Sequence, residues 1–144
     1  MNYRHLGNSG LLVSEIGFGS WLTLDAGDLD RATELHRTAD EAGINFFDTA
    51  NAYGAGGTEP VVGHALRPFP RETYVLATKV FWPYEPDWPF PTANDRGLSR
   101  KHLHQEMDKS LRRLGVDYLD LYQCHRYDEH TPLEETCRAM SDLV

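Results

Sequence analysis

The stretch Leu114-Gly115-Val116-Asp117-Tyr118-Leu119-Asp120-Leu121-Tyr122-Gln123-Cys124-His125 decides the fold. Ahead of it, Ser99 is a good helix cap, and Leu103, Met107, Leu111 and Leu114 recur at helical spacing. Gly115 stands where such a helix should stop. Tyr118 to Cys124 then reads as an apolar strand, and His125 follows it. A second helix is expected after Thr131-Pro132-Leu133-Glu134, which has the form of a capping box with proline at its first position. Leu133, Cys137, Met140 and Val144 would form its apolar face.

The same order recurs toward the N-terminus. Ile16 to Trp21 is a short apolar run, followed by Ala32, Leu35, Ala39 and Ala42 at helical spacing and by Gly43. Ile44 to Phe47 is the second run, ending in Asp48. A helix with Thr58 as its N-cap follows, with Pro60 in its first turn and Val62, Ala65 and Leu66 on one face. Tyr74 to Thr78 is the third run, ending in Lys79. Residues 80–98 form a long connection with Trp82, Trp88 and four of the eight prolines; long connections are commonly functional. Ahead of all this, Tyr3 to Leu6 and Leu11 to Val13 flank Gly7-Asn8-Ser9-Gly10, the pattern of a β-hairpin. The expected architecture is one domain, 1–144, with a hairpin over 1–14 and four βα units over 15–144. Such alternation implies a parallel sheet with helical crossovers.

Composition narrows the function classes. The chain has 144 residues, 40% hydrophobic and 25% charged, which suits a globular protein. A closed eight-stranded βα barrel needs about 250 residues. Lys plus Arg number 14 against 22 Asp plus Glu, for a net charge of −8, so nucleic acid is a poor partner. The basic cluster from Arg96 to Arg113 is interrupted by Glu106 and Asp108 and reads as a solvated helix face. No apolar run approaches the roughly 18 residues of a membrane span. Cys124 and Cys137 form neither a disulfide framework nor a zinc motif, so the cytoplasm is the expected compartment.

The chemistry is suggested by position. Asp48, Lys79 and His125 each follow an apolar run, on three consecutive expected strands. In parallel βα folds those strand ends converge on the face that holds the active site. Tyr53 lies in the loop after Asp48. A tyrosine is a weak acid at neutral pH, and a neighbouring ammonium favours its phenolate. Asp48 can hold Lys79 there, and His125 can orient a substrate oxygen toward the Tyr53 hydroxyl. The set suits proton delivery to a carbonyl oxygen. Carbonyl reduction also needs a hydride, which no side chain supplies, so a nicotinamide cofactor is implied. Competing motifs are weak. Gly17-Phe18-Gly19 lacks the third glycine of a dinucleotide fingerprint, and no Walker sequence or Gly-x-Ser-x-Gly elbow occurs. His102 and His104, two apart on a helix, point about 200° apart and cannot share a metal; no metal site is expected.

Phe47-Asp48-Thr49-Ala50-Asn51-Ala52-Tyr53-Gly54, with Gly57-Thr58-Glu59 and Gly63-His64-Ala65-Leu66, resembles the first signature of the aldo-keto reductases. Leu114 to Tyr122 leading to His125 resembles the second, and Thr78-Lys79 resembles the family's lysine strand. Arg96 to Leu103 and Thr131 to Thr136 resemble the branch of potassium-channel β subunits and their bacterial relatives. The resemblance implies a (β/α)8 TIM barrel, of which this chain would be the N-terminal half, ending inside or just after its fourth helix. It implies NADPH-dependent reduction of aldehydes or ketones, with Tyr53 as general acid, Lys79 and Asp48 as its tuning pair, and His125 orienting the substrate. It places Ser20, Trp21 and Asp48 near the cofactor, and Trp82 and Trp88 beside the substrate with Tyr53 and His125. The partner would be a small carbonyl compound, and a homo-oligomer is allowed. In the channel subunits an asparagine replaces the histidine, so His125 favours the ordinary reductases. By this resemblance most of the cofactor site lies outside these residues, and the chain alone should be inactive. The rival readings are a channel-type auxiliary subunit and a half-barrel assembly unit without catalysis.

Overall fold

A computed structural model describes residues 1–24, 27–83 and 93–144. Strands β1 (Tyr3–His5) and β2 (Leu12–Ser14) form the expected antiparallel hairpin. β3 (Phe18–Gly19), β4 (Phe46–Asp48), β5 (Val75–Val80) and β6 (Leu121–Cys124) form one parallel sheet in chain order. Helices α1 (Leu29–Glu41), α2 (Thr58–Leu66) and α3 (Arg100–Leu114) follow β3, β4 and β5, and α4 (Leu133–Ser141) follows β6. This is the half-barrel order of four βα units.

The helices begin and end for identifiable reasons. Asp28 caps α1 by accepting from the Arg31 N–H at 2.9 Å, and Gly43 turns the chain after it at φ +83°. Ser99 caps α3, and Gly115, at φ +68°, ends it with a hydrogen bond to the Leu111 carbonyl. Asn45 docks the hairpin: its amide accepts from Ser14 N–H at 2.7 Å and donates to Leu12 O at 3.1 Å.

Side chains alternate across the sheet. Phe47, Leu76, Thr78 and Tyr122 face the helices, and the main core gathers Ala39, Phe47, Val62, Leu66, Tyr74, Leu76 and Leu114. A second cluster joins Val80, Phe81, Leu98, Leu103 and Ala139. The other face carries Asp48, Lys79 and Gln123. Helix α2 lies so close to the end of α3 that a Cβ on Gly63 would stand 2.1 Å from the Leu114 carbonyl oxygen.

Four local expectations are corrected. Lys79 lies inside β5 rather than after it. Thr58 is the first residue of α2, and Gly57 is its cap. Thr131 does not cap α4; its hydroxyl donates to Asp128 at 2.7 Å, and Pro132 precedes the helix. The buried face of α4 is Thr136 and Ala139, while Leu133 is 58% exposed and Cys137 is exposed. The contact with α3 and Leu98 selects that face: Ala139 packs on Leu103, and the Thr136 hydroxyl donates to Leu98 O at 3.1 Å.

Candidate active site

Strand register brings the candidate residues together. Gly19 pairs with Asp48, Asp48 with Ala77, and Lys79 with Gln123. Beyond β4 the chain keeps following β5, as Thr49 N–H donates to Ala77 O and Asn51 N–H to Lys79 O. A 3-10 turn over Tyr53–Gly56 then reverses it. Gly54 and Ala55 are both left-handed there, at φ +58° and +48°. Ala55 is the only non-glycine residue with positive φ among the described residues, so backbone strain sits two residues after Tyr53.

Lys79 is the hub. Its ammonium donates to Asp48 Oδ2 at 2.5 Å, to Thr49 O at 2.9 Å and to the Tyr53 hydroxyl oxygen at 3.1 Å. All three of its N–H donors are thereby used. The Tyr53 oxygen accepts from Lys79, which leaves its own hydrogen free to be donated elsewhere. The second Asp48 oxygen, Oδ1, takes a 3.2 Å hydrogen bond from Gln123 Nε2. The Asp48 carbonyl accepts from both the hydroxyl and the N–H of buried Ser20 at 3.0 Å.

His125 follows β6, and its backbone N–H donates to Val80 O at 3.0 Å. Its ring meets the Tyr53 ring edge-on at 5.7 Å. Burial, and then the Lys79 charge, push its pKa below the ordinary value, against the pull of Asp48. The imidazole is therefore neutral at neutral pH. Its buried Nδ1 has no protein partner among the described residues.

Trp21 stacks on Tyr53, with ring centres 6.0 Å apart. Trp21, Ala52, Tyr53, Trp82 and His125 line a cavity of about 270 Å³. Asn51 ties Trp82 in place by donating to its carbonyl at 2.8 Å. Asp48, Lys79, Tyr53, His125, Ser20, Trp21 and Trp82 thus come together at one site. Trp88 lies outside the described residues.

Gln123 and Asn51 belong to the site and were not expected there. Gln123 had a signal, since it lies two residues before His125 in a strand and so on the face of Asp48 and Lys79. Behind the site is a buried charged cluster with no such signal. Glu59 accepts from the Thr78 hydroxyl at 2.6 Å and from Arg113 Nε at 2.6 Å. Glu106 takes Arg113 at 3.3 Å and the Asn51 amide at 3.0 Å. Burial works against the Arg113 charge, but Glu59 and then Glu106 outweigh it and hold its pKa above the ordinary value. Arg113 is therefore part of an internal ion pair, unlike the solvated basic face expected for its helix.

Residues 15–144 match the aldo/keto reductase family. The chain is 42% identical over 147 aligned positions to a "Probable voltage-gated potassium channel subunit beta" of Arabidopsis thaliana, and equally to the protein so described in Oryza sativa subsp. japonica. Each alignment covers 100% of this chain and 43% of the relative. Among solved structures, the aldo-keto reductase AKR11C1 from Bacillus halodurans, in its holo form, superposes with a TM-score of 0.87 at 38% identity, over 99% of this chain and 46% of that one. A thermostable aldo-keto reductase in complex with the inhibitor epalrestat superposes with a TM-score of 0.81 at 35% identity, over 99% of this chain and 49% of that one. The chain therefore spans less than half the length of these relatives.

Proposed function

This chain belongs to the aldo/keto reductase family, and from that premise we propose that it carries the proton-transfer residues of an NADPH-dependent reductase of aldehydes or ketones. The observation that carries this reading is the Lys79 hydrogen bond to the Tyr53 oxygen at 3.1 Å. Lys79 occupies the acceptor side of that oxygen, so Tyr53 has its hydrogen to offer to the cavity. As the proton leaves, the ammonium beside the oxygen stabilises the negative charge. Asp48 keeps the ammonium in place. His125, neutral and beside Tyr53, presents a ring nitrogen that can hold the carbonyl oxygen for protonation. Trp82 walls the substrate, and Trp88 is the further wall residue of this reading.

The residues fit the reacting end of a nicotinamide group. Trp21 offers a flat face, 64% exposed, and a Cβ on Gly19 would meet open space. Ser20 is buried, with its hydroxyl on the Asp48 carbonyl, and in this reading it and Asp48 belong to the cofactor side of the site. The cofactor supplies a hydride when bound. We read residues 1–144 as one unit corresponding to the N-terminal half of a barrel, with most of the cofactor grip contributed by the other half. On that reading the chain alone does not turn over. Its two cysteines are free, which accords with a cytoplasmic setting.

The test joins residues 1–144 to the C-terminal half of the Bacillus halodurans relative and follows NADPH oxidation with aromatic aldehydes. The joined barrel should reduce them, the chain alone should not, and Tyr53→Phe should lower kcat by about 10²- to 10⁴-fold with cofactor binding retained. Undiminished turnover in the Phe variant would sink the assignment. The 42% identity to proteins described as channel β subunits supports a second reading, an auxiliary subunit that binds a partner. Retention of a membrane protein by the joined barrel, without carbonyl reduction, would favour it.

A further inference from the structure

Two arginines outside the candidate tetrad stand beside its cavity. The Arg96 guanidinium carbon lies 5.8 Å from the centre of the Phe81 ring and 5.2 Å from that of Trp82. The Arg126 guanidinium carbon lies 5.3 and 5.4 Å from the same two centres. The two rings meet edge-on at 4.8 Å, and Trp82 lines the cavity shared with Tyr53 and His125. Two like charges are thus gathered against one aromatic pair, in a chain whose net charge is −8.

The backbone holds them there. Arg126 directly follows His125, which is anchored to Val80 O. Arg96 directly precedes Gly97, whose N–H donates to Phe81 O at 2.8 Å and whose φ is +89°. A Cβ on Gly97 would stand 2.5 Å from Asp128 Oδ2. The Asp128 carboxylate is already committed: it accepts from Leu98 N–H at 2.8 Å, Thr131 Oγ1 at 2.7 Å and His130 N–H at 3.0 Å. Among the described residues, neither Arg96 nor Arg126 takes part in an ion pair, and both are exposed.

A guanidinium over an aromatic ring uses its face and keeps its in-plane N–H donors for another partner. Those donors match a carboxylate in a two-point contact. An anion placed between the two cations would also remove their mutual repulsion. We propose that Arg96 and Arg126 bind a carboxylate on the substrate, and that the substrates of this site are small carbonyl compounds with a carboxylate at the end away from the reacting carbon. Trp82 touches that anchor and lines the cavity of Tyr53, so the carboxylate sets which end of the molecule reaches the phenol. The proposal rests on the carbonyl-reductase reading of the site.

The test titrates the 144-residue chain with 4-carboxybenzaldehyde and with its methyl ester, following quenching of tryptophan fluorescence. The acid should bind about tenfold more tightly than the ester, the factor expected of one charge-assisted contact, and only the acid should weaken as salt is raised. Arg126→Gln and Arg96→Gln should each bring the acid toward the ester, while Arg126→Lys keeps part of the preference. Circular dichroism identical to the parent chain establishes that the variants fold. Equal affinity for acid and ester, failure of the acid to bind, or an acid preference untouched in both Gln variants would overturn the proposal. Turnover is not read, so the two readings fail separately. An acid preference that needs the arginines, in a joined barrel that oxidises no NADPH, would uphold the carboxylate site and reject the reductase.

Discussion

Gln123 Nε2 donates to Asp48 Oδ1 at 3.2 Å, reaching across β5 from one neighbour of that strand to the other. The opposite oxygen of the same carboxylate holds Lys79 at 2.5 Å. Asp48 is therefore positioned from both sides, and the Lys79 ammonium inherits that position. Gln123→Leu removes one side while keeping the strand. In the joined barrel it should lower kcat about tenfold, a small displacement of the reacting groups, with the aldehyde KM little changed. Steady-state kinetics check this, and a loss as large as that of Tyr53→Phe would mean that Gln123 does more than position.

Histidine burial predicts an acid-sensitive fold. His36 is fully buried, lies 4.7 Å from the Phe18 ring and 5.2 Å from the Phe47 ring, and has Nδ1 2.8 Å from Ala32 O. Burial pushes its pKa below the ordinary 6.5, as it does for His102 and His125. The unfolded chain takes up these protons more readily than the folded one. Their contribution is full above pH 6.5 and is lost as the pH falls toward the lowered folded values. Urea midpoints should therefore drop between about pH 7 and pH 5, and His36→Phe should flatten part of that slope. A slope unchanged in His36→Phe would contradict the assignment to this residue.

The Glu59–Arg113 pair joins α2 to α3 at 2.6 Å, with the Glu59 side chain wholly buried. Arg113→Met leaves that carboxylate without its counter-charge and should cost about 3–5 kcal/mol. Replacing both partners by methionine should cost less than the two single losses together. A double-mutant cycle by urea denaturation should give a coupling above about 1 kcal/mol.

Gly63 predicts a purely steric effect. Its Cβ position falls 2.1 Å from the Leu114 carbonyl oxygen, which is backbone and cannot rotate away. Gly63→Ala should thus destabilise the chain by about 1–3 kcal/mol, although alanine is the better helix former. Thermal unfolding reads the sign directly, and a stabilised variant would show that α2 and α3 separate freely.

Much of the arrangement was legible along the chain. The turn at Gly7 to Gly10, the stop at Gly115 and the cap at Ser99 act on their immediate neighbours, so local chemistry was enough to place them. Alternating apolar runs and helical spacings gave four βα units, and the polar residues at the strand ends marked one face of the sheet. The failures came where another partner outbid the expected one. Thr131 bonds Asp128 in place of the α4 backbone. The α4 helix turns Ala139 inward because α3 offers a surface that suits a small residue.

The sequence alone determined the family, the order of the elements and which polar residues gather on one face of the sheet. Periodicity and turn chemistry depend on residues a few positions apart, and these survive in the linear text. Only the tertiary structure decided that Lys79 spends all three donors on Asp48, Thr49 and Tyr53, that Gln123 supports Asp48, and that Arg113 is an internal cation. Those contacts join residues 26 to 75 positions apart. They depend on strand register and on the closeness of α2 and α3, which no local pattern encodes.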